Sequence, residues 1–213
     1  MNFISDALNQ YAEQHTAQES EALQYCVRQT NLKTLQPRML SGHLQGRFLS
    51  LISKMMQPAR ILEIGMFTGY SAICLAEGLI ENGKLIAIEV NDEVIPIAQQ
   101  SIARARLENK IEIIHGDALH IIPKLIGAFD IVFIDAAKRQ YAAYFDAVID
   151  KVRIGGLIIA DNILWSGKIL DDVYDTDTRL IDAFNKKMIT DTRLETVLLP
   201  LRDGLMMARK IRL

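Results

Sequence analysis

Several large classes of protein are excluded by what this sequence lacks. It has two cysteines, Cys26 and Cys74. Neither stands in a metal or redox spacing, and two thiols make no disulfide framework. Both read as small buried apolar residues in a reducing compartment. No window offers about 18 uninterrupted apolar residues, so nothing is expected to span a membrane. The opening Met1–Leu8 lacks a basic stretch and a long apolar run, which argues against a signal peptide, and the chain is expected to be cytoplasmic. Net charge is only −2, so no strong basic field exists to hold a nucleic acid. Repeats and low-complexity stretches are absent, and His15, His43, His115 and His120 form no ligand spacing.

What is present is a chain of 213 residues, half of them hydrophobic. That suffices for one domain over residues 1–213 with a sizeable core. Residues 1–56 read as an N-terminal helical extension and 57–213 as the core. Leu8, Tyr11 and Ala12, and then Leu23, Cys26 and Val27, recur at helical spacing, as do Leu44, Phe48, Leu51, Ile52 and Met55 before Pro58. From residue 60 the rhythm changes. Apolar, β-rich runs at Arg60–Ile64, Lys84–Glu89, Ile111–His115, Phe129–Ile134 and Leu157–Ala160 alternate with segments long enough for crossover helices. This alternation predicts an α/β fold with a doubly wound, mostly parallel sheet. Leu194–Leu199 and Leu205–Ile211, joined by a short turn with Pro200 and Gly204, predict a closing antiparallel hairpin and seven strands in all.

The first strand runs into Glu63-Ile64-Gly65-Met66-Phe67-Thr68-Gly69-Tyr70-Ser71. In a doubly wound sheet, ligands bind beyond the carboxyl ends of the strands. Glycines there let the backbone approach the ligand, and the next helix offers free N–H groups. The second strand ends in Glu89, twenty residues beyond Gly69, where a carboxylate can accept hydrogen bonds from ribose hydroxyls. A nucleoside-containing cofactor is therefore expected. A dinucleotide fingerprint would need a third glycine, and position 67 is Phe. Glu63 beside the turn would repel a pyrophosphate but attract an ammonium group. S-adenosylmethionine, which carries an ammonium, a ribose and a sulfonium but no phosphate, fits better than a nicotinamide dinucleotide.

The fourth strand ends in Asp135-Ala136-Ala137-Lys138 and the fifth in Asp161-Asn162. Both endings lie at the same sheet edge as the cofactor turn. Two carboxylates and an amide oxygen are hard ligands, suited to Mg²⁺, Mn²⁺ or Ca²⁺ and not to zinc. Alone, either Asp reads equally as a helix cap. Lys138 lies three residues beyond Asp135, where a nearby divalent cation disfavours its ammonium form, so a neutral amine could take a substrate proton. Trp165 reads as a pocket wall or a packing residue.

Together these stretches resemble the cation-dependent O-methyltransferases, the family of the caffeoyl-CoA and catechol O-methyltransferases and their bacterial relatives. The resemblance is carried by EIGMFTGYS from 63, IEVN around Glu89, GDAL from 116, FIDAAK from 133, ADNILWSG from 160 and LPLRDGLMMARKI from 199. It implies that Glu63, Gly65, Met66, Gly69 and Ser71 hold the methionine part of S-adenosylmethionine, with the backbone near Ser41. It implies that Glu89 binds the ribose, that Ala118 lies by the adenine, and that Asp135 serves both cofactor and metal. The metal set would be Asp135, Asp161 and Asn162, with Lys138 as base. A homodimer is implied as well. The acidic residue that catechol-specific members carry six positions before their Asp-Gly-Leu is Val197 here.

The activity so implied is methylation of a hydroxyl on a small aromatic vicinal diol, whose two oxygens can chelate the metal. Methylation of a hydroxylated uridine in transfer RNA is the alternative, disfavoured by the net negative charge. A nicotinamide-dependent oxidoreductase and a non-catalytic binding protein stand further off.

Overall fold

The computed structural model describes residues 4–213. Helices α1 (Asp6–Gln14), α2 (Glu21–Lys33) and α3 (His43–Met56) precede the first strand. Ser5 and Ser20 cap α1 and α2 by accepting from the backbone N–H three residues on. Strands β1 (Arg60–Ile64), β2 (Lys84–Glu89), β3 (Ile111–His115), β4 (Phe129–Ile134) and β5 (Val152–Asp161) then alternate with α4 (Tyr70–Ala76), α5 (Ile95–Arg104), α6 (Ala118–Ile121) and α7 (Tyr141–Val148). After α8 (Thr176–Thr190) come β6 (Leu194–Leu199) and β7 (Leu205–Lys210).

These strands form one seven-stranded sheet in the order β3-β2-β1-β4-β5-β7-β6. All pairs among β1–β5 are parallel, and β7 runs antiparallel to β5 and β6. Alternation along each strand feeds two cores. Leu62, Ile64, Ile86, Ile88, Val132 and Ile134 face Tyr141, Phe145 and Phe184 on α7 and α8. Ile61, Leu85, Ala87, Ile131 and Phe133 face Leu23, Leu49, Ile73 and Ile102 on α2–α5. The helical extension is thus not an appendage: α3 packs on α4, and α2 packs on α5.

Two features differ from the pattern expected of the sequence. β5 starts at Val152, five residues before the apolar run at Leu157, and a register shift against β4 near Phe129 and Ile131 absorbs the polar Arg153 and the glycines at 155 and 156. The apolar stripe of α1 does not face the core, and that of α3 does so only in part, with Phe48 and Ile52 half-buried against it. On α3 the buried residues are Gln45, Gly46, Leu49, Ser50 and Ser53, whereas Leu51 and Met55 are 57% and 73% exposed. No residue of α1 is buried. The close approach of α3 to α4 requires small residues on the facing side, because a Cβ on Gly46 would crowd the Tyr70 ring. No helix among the described residues is long and apolar enough to cross a membrane.

Candidate active site

The strand order reverses direction between β1 and β4, which opens a crevice at their carboxyl ends. A cavity of about 590 Å³ lies there. Its floor is made by Gly65, Glu89, Ala118 and Asp135, and its far wall by Gln140 and Tyr144. The segment after α2, Lys33–Gln36 with Met39, covers one side.

Gly65 shows why the turn after β1 has its sequence. Its φ is +88° and a Cβ would overlap the Asp135 carbonyl oxygen. Only a residue without a side chain lets the β1 turn lie against the β4 end. The turn is also tied to β2, where Glu89 accepts from Phe67 N–H at 2.6 Å with one oxygen and from Val90 and Asn91 N–H at 2.9 Å with the other. From the other side, Thr30 on α2 donates to Thr68 Oγ1 at 2.8 Å, and the buried Cys26 thiol donates to the Thr68 carbonyl at 3.2 Å.

Glu63 lies beneath the turn and is completely buried. Ser71 donates to its Oε1, while Oε2 has no partner among the described residues. Burial pushes its carboxyl up to about 8 against the opposing effect of the Ser71 hydrogen bond, with Asp135 and Glu89 adding like-charge repulsion. Of the other residues expected at the cofactor, Met66 is 1% exposed within the core. Gly69 sits in the left-handed region at the start of α4. Ser41 is buried, and its carbonyl accepts from Arg202 in the β6–β7 turn, which also donates to the Leu40 carbonyl at 2.7 Å.

Beside the cavity, β4 and β5 pair in parallel, so their ends bring Asp135, Asp161 and Asn162 together. The Lys138 ammonium donates to Asp135 Oδ1 at 2.8 Å, Asn162 Oδ1 at 2.7 Å and the Tyr141 hydroxyl at 2.6 Å. Tyr141 is fully buried and in turn donates to the Asp161 carbonyl at 3.0 Å. Asp161 is 1% exposed. Burial and the neighbouring Asp135 raise its carboxyl to about 7, opposed by Lys138. Asn162 adopts φ +58°, a strained conformation that asparagine tolerates better than most residues. Among the described residues no three His, Cys, Asp or Glu side chains are placed to hold a metal ion by themselves; the oxygen donors at this edge are two carboxylates and one amide. A cationic group already held between Asp135 and Asn162 shows that this donor set suits positive charge.

Two residues of this site escape the sequence patterns. Gln45 reaches Asp161 from α3, and its only signal is a polar residue within the small-residue stripe of that helix. Arg202 stands in a motif but its carbonyl partners lie about 160 residues away. Trp165 is half-buried with its indole N–H unpartnered among the described residues. Val197 sits on the edge strand β6 at 50% exposure, away from the cavity.

A Rossmann-like sheet closed by an antiparallel hairpin, with an acidic residue ending β2 and a buried carboxylate under the first turn, defines the nucleoside-dependent methyltransferase class. The chain belongs to the O-methyltransferase family, whose profile matches residues 13–211, and is an S-adenosylmethionine-dependent O-methyltransferase. It is 35% identical to caffeoyl-CoA O-methyltransferase 1 of Nicotiana tabacum over 97% of this chain and 92% of that protein. An O-methyltransferase of Bacillus cereus in complex with SAH superposes with a TM-score of 0.88 at 29% identity, covering 96% of this chain and 97% of that one. TomG of Streptomyces achromogenes, in complex with SAM, superposes with a TM-score of 0.88 at 28% identity, covering 97% and 96%.

Proposed function

We propose that this enzyme uses a divalent cation at Asp135, Asp161 and Asn162 to methylate one hydroxyl of a small aromatic vicinal diol, with S-adenosylmethionine in the adjoining cavity. The observation that carries the reading is that Lys138 joins Asp135, which lines the cavity, to Asn162, with the Asp161 carboxylate next in the chain and bonded to the Asn162 N–H. The similarity to caffeoyl-CoA O-methyltransferases supports the acceptor class, because a caffeoyl group presents two adjacent ring hydroxyls.

The residues fit the cofactor. Glu63 Oε2 is a buried acceptor without a donor, as the ammonium of an amino-acid moiety requires. Glu89 lines the cavity and, beyond its three backbone partners, keeps a lone pair on Oε2 free for a ribose hydroxyl. Asp135 borders both cavity and metal set and so sets the distance between cofactor and acceptor. When bound, the divalent cation supplies Lewis-acid polarisation of the acceptor hydroxyl and lowers its pKa. Lys138, in contact with Asp135 and Asn162, would act as the base: after giving one of its own protons to solvent, its Nζ would accept the hydroxyl proton. The oxygen then bonds to the methyl carbon as the carbon–sulfur bond breaks, and the sulfonium leaves as a neutral thioether. Much of the rate comes from the walls that hold oxygen, methyl and sulfur in line.

The test is turnover of ortho-diphenols with labelled S-adenosylmethionine. Activity is expected to vanish after chelation and to return with Mg²⁺ or Mn²⁺. Full turnover in protein shown metal-free by elemental analysis overturns the metal, and methylation of transfer RNA in place of diphenols overturns the acceptor.

We also propose a homodimer formed through the outer face of α3. Leu51 and Met55 are exposed there, and Leu8 and Tyr11 are exposed on α1. Exposed large apolar side chains on a folded domain can mark an interaction surface.

A further inference from the structure

Gln45 lies 116 residues from Asp161 in sequence, yet its Nε2 donates to Asp161 Oδ2 at 2.6 Å. Asp161 Oδ1 accepts the backbone N–H of Asn162 at 2.6 Å. Each oxygen of this buried carboxylate is therefore held by one N–H, one from its own loop and one from α3. Charge sets the orientation of the Gln45 amide, because turning its oxygen toward the carboxylate would oppose two acceptors. Gln45 is completely buried, and its Oε1 then has no partner among the described residues. An amide that leaves half its capacity unused is a poor packing residue, since an apolar side chain of the same length would avoid the orphaned oxygen. Gln45 also does not line the cofactor cavity. Its one side-chain hydrogen bond among the described residues is to the Asp161 carboxylate.

We infer that Gln45 is a positioning residue for the metal centre: from α3 it fixes the rotation of the Asp161 carboxylate and hence the oxygen offered to a divalent cation. The inference rests on the metal reading above. Each Asp161 oxygen keeps lone pairs for a cation while its N–H donor restricts rotation. Groups that orient metal ligands in this way typically matter by about 10–100-fold in metal affinity. The N-terminal helical segment thereby becomes part of the catalytic centre as well as a wall of the cofactor cavity.

The test is titration of wild type and Gln45→Met with Mn²⁺, following free Mn²⁺ by electron paramagnetic resonance. Binding of S-adenosylhomocysteine is measured by calorimetry on the same preparations. Methionine keeps the length of the side chain and removes the donor. Mn²⁺ affinity is expected to fall about 10–100-fold, with S-adenosylhomocysteine affinity and thermal midpoint unchanged. Gln45→Asn, whose amide is a methylene too short, is expected to show the same loss, and it serves if the methionine variant does not fold. Wild-type Mn²⁺ affinity in a folded variant overturns this inference while leaving the metal site intact. A parallel fall of Mn²⁺ affinity, cofactor affinity and thermal midpoint makes Gln45 a packing residue and also overturns it. Absence of Mn²⁺ binding in the wild type overturns the metal reading and this inference together.

Discussion

Glu63 concentrates the electrostatics of the site in one side chain. Burial raises its carboxyl to about 8 from an ordinary 4.5. Between those two values the folded protein holds a proton that the unfolded chain has released, so this group makes stability fall as pH rises through the window. Pairing with a cofactor ammonium needs the carboxylate, so binding releases the proton, and affinity rises with pH up to about 8. Calorimetric titration with S-adenosylhomocysteine at about pH 6, 7 and 8 is expected to show affinity rising by up to about tenfold per unit. Glu63→Gln is expected to bind weakly with a flat profile. An equally flat profile in the wild type would place the ammonium elsewhere. Glu63 stood out in the sequence because it precedes a glycine turn by two residues, but the pKa that governs it was not legible. Its desolvation comes from burial by the fold as a whole, and the residues acting on its charge, Asp135 and Glu89, lie far off in sequence, Ser71 being its one side-chain hydrogen-bonding partner among the described residues.

At the scale of elements, the strands were the most legible part, and the turn after β1 was legible down to its glycine. Gly65→Ala is expected to cost about 1–3 kcal/mol, because alanine must adopt a left-handed φ. It should also weaken cofactor binding, since the new methyl group meets the Asp135 carbonyl. Denaturant unfolding and calorimetry check both effects, and a variant with wild-type stability and affinity would mean that the turn relaxes freely. Helix α3 was legible as a helix, but which of its residues face the core was not. Apolar periodicity points a helix at whatever covers its largest side chains, and within one chain that is expected to be the core. Here the buried face mixes Leu49 with small and polar residues, because α3 lies close to α4 and delivers Gln45 to Asp161, while Leu51 and Met55 point outward. The extent of β5 was missed for a related reason, since Arg153 and two glycines extend a strand through pairing with β4 that no local pattern encodes.

For the whole molecule, the outward stripe of α3 becomes intelligible if a second copy covers it. Light scattering on the eluted protein is expected to give twice the chain mass, and Leu51→Glu with Met55→Glu is expected to give a folded monomer. A monomeric wild type would leave that face to some other partner. By itself, the sequence determined the class of fold, the cofactor edge of the sheet, and the acidic and amide side chains found there. These follow from alternation, turn chemistry and strand endings, which act over a few residues at a time. Only the tertiary structure decided how those endings meet. It placed Lys138 between Asp135 and Asn162, locked Asp161 from α3, latched the β1 turn to α2 through Thr30, and hung the 38–41 segment from Arg202. Apart from the Lys138–Asp135 pair, these contacts join residues from 24 to more than 160 positions apart. Such contacts arise from the packing of layers, and local periodicity carries no record of which distant side chains the packing will bring within hydrogen-bonding reach.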